Sequence, residues 1–212
     1  MFYSDADRRL YLNCLADYSR HYGVSVEAYC LMENHVHFVV VPHSAMSLPR
    51  MMQRLASEYA RHVHSRRDTA GHLWRARYYS VVLDPQHYWT AMVYVEQNPA
   101  RAGVVQFPWQ WHWSSAAAHV GMASAGLLNL VNWRAEHTPE SWRLRLEIGL
   151  RDAALVDRIR EATVRGWPLG NDEFLNRLES QLDVPVRPSP GGRPKKPAAS
   201  HGSGISLVKT AS

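Results

Sequence analysis

The sequence contains little cysteine and no long apolar run, and both shortages exclude classes of protein. Cys14 and Cys30 are the only cysteines among 212 residues, so neither a disulfide framework nor a C-x-x-C metal motif is available. No apolar stretch approaches the roughly 20 residues that span a bilayer. The first residues, MFYSDADRRLY, are charged rather than signal-like. We therefore expect a cytoplasmic protein with reduced thiols and no membrane partner.

Lysine is also scarce, since three lysines stand against 21 arginines. The guanidinium group of arginine forms bidentate hydrogen bonds to phosphate, which the ammonium group of lysine does not. A GC-rich coding sequence would produce the same bias. The net charge of +5 is unevenly distributed. Residues 1–186 are neutral, whereas residues 187–212 carry five basic residues and no acid. Within the neutral part, residues 50–77 hold seven arginines against two acids. This distribution favours a polyanionic partner.

The order of the predicted elements indicates an α+β fold. A ferredoxin-like antiparallel sheet flanked by helices fits that order. The elements are a helix over 4–23, strands over 24–32 and 35–41, a helix over 47–65, a broken strand over 73–83, and a helix over 85–98 that Pro99 stops.

Composition divides the chain into three parts. Residues 1–106 hold the α+β pattern. Residues 107–184 form a tryptophan-rich connector and a helical extension, with helical segments over 139–165 and 171–181. Residues 185–212 are dominated by Pro, Gly, Ser and basic residues, a composition typical of a disordered tail.

Two copies of the tripeptide His-Val-His occur in different predicted elements. His35 and His37 lie on a strand, where alternate side chains point to the same face, so both imidazoles could bind one divalent ion. His62 and His64 lie on a helix, where successive residues turn by about 100° and the imidazoles diverge. The strand copy is therefore the candidate metal site. The alternative is that His35 and His37 are surface or packing histidines.

A third metal ligand and a nucleophile are predicted on the helix that begins at Pro85. Tyr94 and Asn98 are four residues apart, which places them on one helix face. The Asn98 amide oxygen could complete a His-His-Asn site, which suits Mg²⁺ or Mn²⁺, although two imidazoles also admit Zn²⁺. Tyr94 would then lie near the ion. The alternative for Tyr94 is a core or rim aromatic.

Several segments, in this order and spacing, resemble the single-tyrosine HUH transposases. They are MENHVHFVVVP (32–42), LWRARYYSVVLD (73–84) and YVEQNPARAGVV (94–105). With WHWSSAAAH (111–119), WPLGNDEFLNRLESQL (167–182) and GGRPKKP (191–197), the chain more narrowly resembles the REP-associated tyrosine transposases of the insertion-sequence-200-like family. The resemblance covers nearly the whole chain, and the ordered set is more specific than any single segment.

The resemblance implies an HUH endonuclease fold, with residues 1–106 as the catalytic domain of a nucleoid-associated enzyme. His35 and His37 match the histidine pair that binds Mg²⁺ or Mn²⁺, and Asn98 matches the third ligand. Tyr94 matches the nucleophile, which attacks single-stranded or hairpin DNA and leaves a 5′-phosphotyrosine and a free 3′-OH. A homodimer that exchanges helices between protomers is compatible with the resemblance.

Basic residues outside the predicted metal site are candidates for binding the DNA backbone. Arg75 and Arg77 are the best placed, although they could instead pair with acids in a solvated loop. The C-terminal tail resembles a minor-groove arm, the alternative being a generic basic tail. We expect its removal to reduce DNA affinity without affecting cleavage. The predicted DNA-binding residues are Arg54, Arg61, Arg75, Arg77, Arg193, Lys195 and Lys196.

One departure from the family concerns the start of the chain. Members usually begin with a strand carrying a His-x-x-x-Arg-Gly-Asn type sequence, whereas this chain begins almost at the first predicted helix. A missing strand would leave a gap in the sheet and weaken the wall of the site. Two other functions stay open: a non-catalytic, truncated or domesticated DNA-binding regulator, and a metal phosphoesterase that uses water instead of Tyr94.

Overall fold

The computed structural model describes residues 1–68, 70–74 and 77–187, together with the backbone of a strand at 205–210. Of the helices within these ranges, none is both long and apolar enough to cross a membrane. In chain order the elements are α1 (Asp5–Tyr22), β1 (Val24–Leu31), β2 (Val36–Pro42), α2 (Ser47–Arg67), β3 (Tyr79–Leu83), α3 (Pro85–Glu96), α4 (Asn98–Arg101), a 3₁₀ turn (Pro108–Gln110), α5 (Ala116–His119), α6 (Val131–Glu136), α7 (Pro139–Ile148), α8 (Ala153–Arg165), α9 (Asp172–Leu182) and β4 (Ile205–Thr210).

Local sequence signals set the limits of the helices that frame the sheet. Ser4 caps α1 by accepting a hydrogen bond from the N–H of Asp7 at 3.3 Å. Gly23 ends α1 in the left-handed region, with φ of 66°. Asp84 caps α3 in the same way, and Pro85 occupies the first turn, where its missing N–H needs no partner. The structure confirms the predicted starts of both helices.

One four-stranded sheet of order β1-β2-β4-β3 lies between the helices. β1 and β2 form an antiparallel hairpin in which His37 lies opposite Cys30. β4 runs parallel to both of its neighbours. The α+β class is therefore confirmed, but the sheet is mixed rather than wholly antiparallel. β4 enters after a long helical region, so no short turn dictates its direction.

The sheet has no gap between β2 and β3, because β4 lies there. Ile205–Thr210, which form β4, belong to the segment for which the sequence predicts a disordered tail. Arg187 also belongs to the predicted tail, but its side chain contacts α9. Its guanidinium donates to the carboxylate of Glu179 and to Oδ1 of Asn176 at 2.8 Å, both on α9. The folded part of the chain therefore includes Arg187.

A different helical layer covers each face of the sheet. α1 and α2 cover one face, where Phe38 and Tyr59 belong to the same hydrophobic core. The other face is covered by α3 and by helices of the second half of the chain, and Val39, Met92 and Trp142 share the core there. The predicted boundary at residue 106 therefore does not separate two hydrophobic cores.

Two predicted elements are shorter or more divided than the sequence pattern indicates. The strand predicted over 73–83 is confined to β3. Trp74, ahead of β3, instead donates from Nε1 to the carbonyl oxygen of Ala56 at 2.9 Å and anchors the preceding loop to α2. The helical segment over 139–165 is divided into α7 and α8 at Gly149. The φ of 66° and ψ of −172° at Gly149 lie in a region that only glycine adopts readily.

Candidate active site

His35 and His37 stand together at the start of β2. Their ring centroids lie 4.7 Å apart, while Val36 between them is buried in the core on the opposite face, as the period-two alternation of a strand predicts. Oδ1 of Asn34 lies 2.7 Å from Nδ1 of His35. This contact fixes the ring and leaves Nε2 of His35 as the nitrogen with the free lone pair.

Both imidazoles are in surroundings that favour their neutral form, which is the form that binds metals. Burial lowers the pKa of His35. Burial also lowers the pKa of His37 well below its ordinary value, and the charges of His35 and Arg101 act in the same direction. In the part of the chain that the structure describes, the buried Nε2 of His37 has no hydrogen-bond partner. Such an atom is costly unless a ligand binds it, so the histidine pair fits a divalent ion.

Tyr94 lies on α3 between His37 and Arg101. The rings of Tyr94 and His37 are nearly perpendicular, with centroids 5.8 Å apart, and Tyr94 is 7% exposed. The Cζ atom of Arg101 lies 4.1 Å from the centroid of the Tyr94 ring, within the range of a cation–π contact. The structure thus brings the predicted nucleophile next to a predicted metal ligand and a guanidinium group.

The amide of Asn98 is one turn beyond Tyr94, and both ends of it are engaged. Nδ2 of Asn98 donates to the carbonyl oxygen of Tyr94 at 2.9 Å. Oδ1 accepts from Nη2 of Arg101 at 3.0 Å. The oxygen predicted as the third metal ligand therefore shares one lone pair with Arg101, and a cation bound to it would lie close to the guanidinium charge. Among the described residues, no group of three or more His, Cys, Asp and Glu side chains could replace it as a metal site.

Two arginines at this site escaped the sequence prediction. Burial lowers the pKa of Arg101, and the like charge of Arg160 lowers it further, while the phenol of Tyr94 opposes both effects. Burial also acts to lower the pKa of Arg160, but hydrogen bonding to Tyr94 and pairing with Asp157 at 3.1 Å outweigh it and raise that pKa. Tyr94 thus acts in the same direction on both arginines, raising the pKa of each.

A signal for Arg101 was present in the sequence, whereas none existed for Arg160. Pro99 was predicted to stop the helix, but it lies in the first turn of α4, which extends over Asn98–Arg101. Arg101 therefore follows Tyr94 and Asn98 at helical spacing and returns to the same face. Arg160 lies on α8, and only tertiary packing brings α8 to this site.

The predicted DNA-binding arginines are not gathered at the site. Arg54 and Arg61 lie on α2, which packs on the opposite face of the sheet. Both pair with Glu58, at 3.5 Å and 2.8 Å. Arg77 is exposed. A role of these three in DNA binding stays a prediction, and the other four, Arg75, Arg193, Lys195 and Lys196, lie outside the described residues.

α3 is fixed to the helical extension by Glu96, which lies between Tyr94 and Asn98 in the sequence. The Glu96 side chain is fully buried. Its carboxylate accepts hydrogen bonds from Oγ of Ser115 and from Nε1 of Trp142 at 2.8 Å, and it lies 2.5 Å from Nδ1 of His119. Ser115 and His119 lie at the two ends of α5, and Trp142 lies on α7. The helical extension therefore sets the position of α3, which carries Tyr94.

Gln97 makes a second connection, to the turn between α7 and α8. Its Nε2 donates to the carbonyl oxygen of Leu146 at 2.7 Å, and its Oε1 accepts from the N–H of Leu150 at 3.2 Å. Gly149 lies directly against this amide, since a Cβ placed on Gly149 would be 2.2 Å from Nε2 of Gln97. The turn that leads into α8, and hence to Arg160, is thus held by the end of α3.

The Gly149→Ala substitution is expected to lower the free energy of unfolding by about 1–3 kcal/mol, the cost of a backbone conformation that is essentially restricted to glycine. The collision with Gln97 adds to this cost. Urea unfolding followed by tryptophan fluorescence measures the change. Gly126→Ala is the matched control, because Gly126 also has a positive φ, 58°, but an added Cβ meets nothing within 4 Å. Equal losses in both variants would contradict a role for the contact with Gln97.

The first part of the chain matches a known family of DNA-acting enzymes. Residues 1–98 match the family model described as IS200-like transposase. This region contains the histidine pair, α3 with Tyr94, and Asn98 at its end. Comparisons with curated proteins and with solved structures gave no match. The family match supports a transposase, which is an enzyme that binds and cleaves DNA during transposition.

Proposed function

We propose that this protein cleaves single-stranded DNA and transfers the strand through a covalent bond between Tyr94 and a 5′-phosphate. The observation that supports this most directly is the position of Tyr94, against His37 on one side and Arg101 on the other. The region also matches the IS200-like transposases. The ordered sequence motifs resemble the REP-associated members, so the substrate proposed here is a strand that forms a hairpin.

The chemistry is a transesterification at phosphorus. Oη of Tyr94 attacks the phosphodiester, the Oη–P bond forms, and the P–O3′ bond breaks. The phenolic proton passes to solvent, and the released 3′-oxygen takes up a proton. The phosphodiester bond is conserved as phosphotyrosine, so a 3′-OH can later attack it and rejoin the strands without an external energy source.

His35 and His37 would hold a divalent ion, Mg²⁺ or Mn²⁺, and Asn98 would be the third ligand through its amide oxygen. When bound, such an ion polarises the phosphodiester and stabilises negative charge on its oxygens. The unpartnered Nε2 of His37 supports this assignment. Asn34 orients His35, and the buried contacts of Glu96 keep α3 in place against the extension.

The Tyr94→Phe substitution is expected to abolish covalent protein–DNA adducts, since the attacking oxygen is removed while the ring is retained. The full chain is incubated with Mg²⁺ or Mn²⁺ and a labelled hairpin oligonucleotide with single-stranded flanks. Adducts are then resolved on a denaturing gel. DNA affinity of the variant should stay close to that of the wild type. Tyr79→Phe is the control, because Tyr79 is exposed on β3.

Three other results of this experiment would each point elsewhere. Adducts from Tyr94→Phe in wild-type yield would exclude Tyr94 as the nucleophile. Released products without an adduct, from both proteins, would favour a phosphoesterase that uses water. Salt-sensitive DNA binding with no cleavage by the wild type would favour a non-catalytic DNA-binding protein.

A further inference from the structure

Arg101 is a largely buried cation that has no acidic partner among the residues that the structure describes. Burial lowers the pKa of Arg101, Tyr94 and Cys30 raise it and the like-charged Arg160 lowers it further, and no ion pair joins Arg101 to a carboxylate within the described ranges. Its Nε and Nη1 atoms are buried and have no hydrogen-bond partner there. Nη2 donates to a neutral acceptor, Oδ1 of Asn98. Within that part of the chain, the guanidinium group therefore has two nitrogen atoms without a hydrogen-bond acceptor beside the predicted nucleophile.

An arrangement of this kind is unfavourable for a protein without its ligand. A buried charge needs a counter-charge or a full set of hydrogen bonds, and Arg160 adds repulsion. An anion that binds to the unpartnered edge of the guanidinium group, beside Tyr94, would remove both problems. A phosphodiester fits, because it carries one negative charge on two non-bridging oxygens, and arginine donates to such oxygens with strong, charge-assisted hydrogen bonds.

We propose that Arg101 binds the scissile phosphate at Tyr94, and that it does so by leaving the amide oxygen of Asn98. In the DNA-free protein the guanidinium group uses one lone pair of the Asn98 oxygen and places a positive charge beside the position that a metal ion would take. When the phosphate binds the guanidinium group, it neutralises this charge and releases the second lone pair of Oδ1, so a divalent ion binds more favourably. DNA and the divalent ion therefore strengthen each other's binding, as linkage requires. This inference rests on the proposed function of Tyr94 and deepens it.

The test uses the full chain with Arg101→Met, which removes the charge and every donor. Without DNA, this variant is expected to have a higher melting temperature than the wild type, and to bind Mn²⁺ more tightly by isothermal titration. Adduct formation should fall by about 100-fold, the loss typical of one donor to a developing oxyanion. In a Tyr94→Phe background, which prevents cleavage, a single-stranded oligonucleotide should tighten Mn²⁺ binding only when Arg101 is present.

Two further variants make the comparison specific. Arg143→Met is the matched control, because Arg143 also lies over an aromatic ring, 4.8 Å from the centroid of Trp109, but pairs with Glu147. Arg143→Met should leave adducts and Mn²⁺ binding unchanged. Arg101→Lys keeps the charge, and it replaces Arg101→Met as the test variant if Arg101→Met does not fold. It should form adducts more slowly than the wild type, because a single ammonium group replaces the planar fork.

The outcomes separate this inference from the proposed function. Wild-type adduct rates in Arg101→Met, or in Arg101→Lys if only that variant folds, would overturn the role of Arg101 while Tyr94 keeps its own. A lower melting temperature with unchanged Mn²⁺ affinity would mark Arg101 as merely structural and also overturn the proposal. If the wild type forms no adduct, the proposed function fails. Arg101-dependent coupling between oligonucleotide and Mn²⁺ would then still support the phosphate site.

Discussion

Deletion of residues 205–212 is expected to prevent the chain from folding into a stable monomer. β4 pairs with residues 36–40 of β2 on one side and with residues 79–83 of β3 on the other. Without it, both strands lose their backbone partners in the middle of the sheet. An unpaired buried backbone group costs about 1–3 kcal/mol, and several such losses exceed the roughly 5–15 kcal/mol by which a typical domain is stable.

The measurement combines urea unfolding with sedimentation of the shortened chain. We expect an early or broad unfolding transition, and self-association through the exposed edges of β2 and β3. A point substitution gives a sharper comparison. Val208→Pro removes a backbone N–H from a strand with neighbours on both sides, where proline is not tolerated. Val208→Thr keeps the N–H and a β-branched side chain, and should destabilise the protein much less than Val208→Pro.

A shortened chain that stays monomeric and unfolds like the wild type would contradict this role of β4. It would then agree with the expectation from the sequence, in which removal of residues 187–212 costs DNA affinity and salt dependence rather than cleavage. The two views also differ in hydrogen exchange. If β4 holds the sheet, the amides of β2 and β3 that face it are protected in the full chain and exchange rapidly after the deletion.

The elements that could be predicted are those whose signals are local. Ser4 and Gly23 mark the ends of α1, and the Asp84-Pro85 pair marks the start of α3. β4 could not be predicted in this way. Its residues lie in a segment rich in glycine, serine and basic residues, and its pairing depends on strands far away in the chain. Parallel pairing also leaves no hairpin turn for the sequence to reveal.

The candidate site likewise combines features that local sequence spacing predicts with features that depend on tertiary packing. Period two places His35 beside His37, and helical spacing places Asn98 one turn from Tyr94, so these juxtapositions follow from short segments. The hydrogen bond from Arg101 to the Asn98 oxygen does not follow from a short segment. It depends on whether the chain stays helical beyond Pro99. Arg160 depends on the packing of α8, which no local pattern contains. Sequence spacing thus identifies candidate ligands, but not the cations that compete with them or assist them.

The Glu96→Ala substitution is expected to lower the free energy of unfolding by about 3–5 kcal/mol, the loss typical of breaking a fully buried charged network. The side chain is wholly inaccessible to solvent, and Ser115, His119 and Trp142 all lose their acceptor when it is removed. Nε2 of His119 already lacks a partner among the described residues, so the imidazole would be left with none. Water cannot readily replace the carboxylate in so enclosed a position.

Urea unfolding followed by tryptophan fluorescence tests this expectation, with Glu147→Ala as the matched control. Glu147 is exposed and pairs with Arg143 at 3.3 Å on one surface of α7, so its loss should cost less than about 1 kcal/mol. Because Glu96 lies between Tyr94 and Asn98 on the chain, adduct formation should also fall by more than the unfolded fraction accounts for. If Glu96→Ala is no more destabilising than Glu147→Ala, the carboxylate does not hold α3 to the extension. The position of Tyr94 must then depend on Gln97 and the hydrophobic core alone.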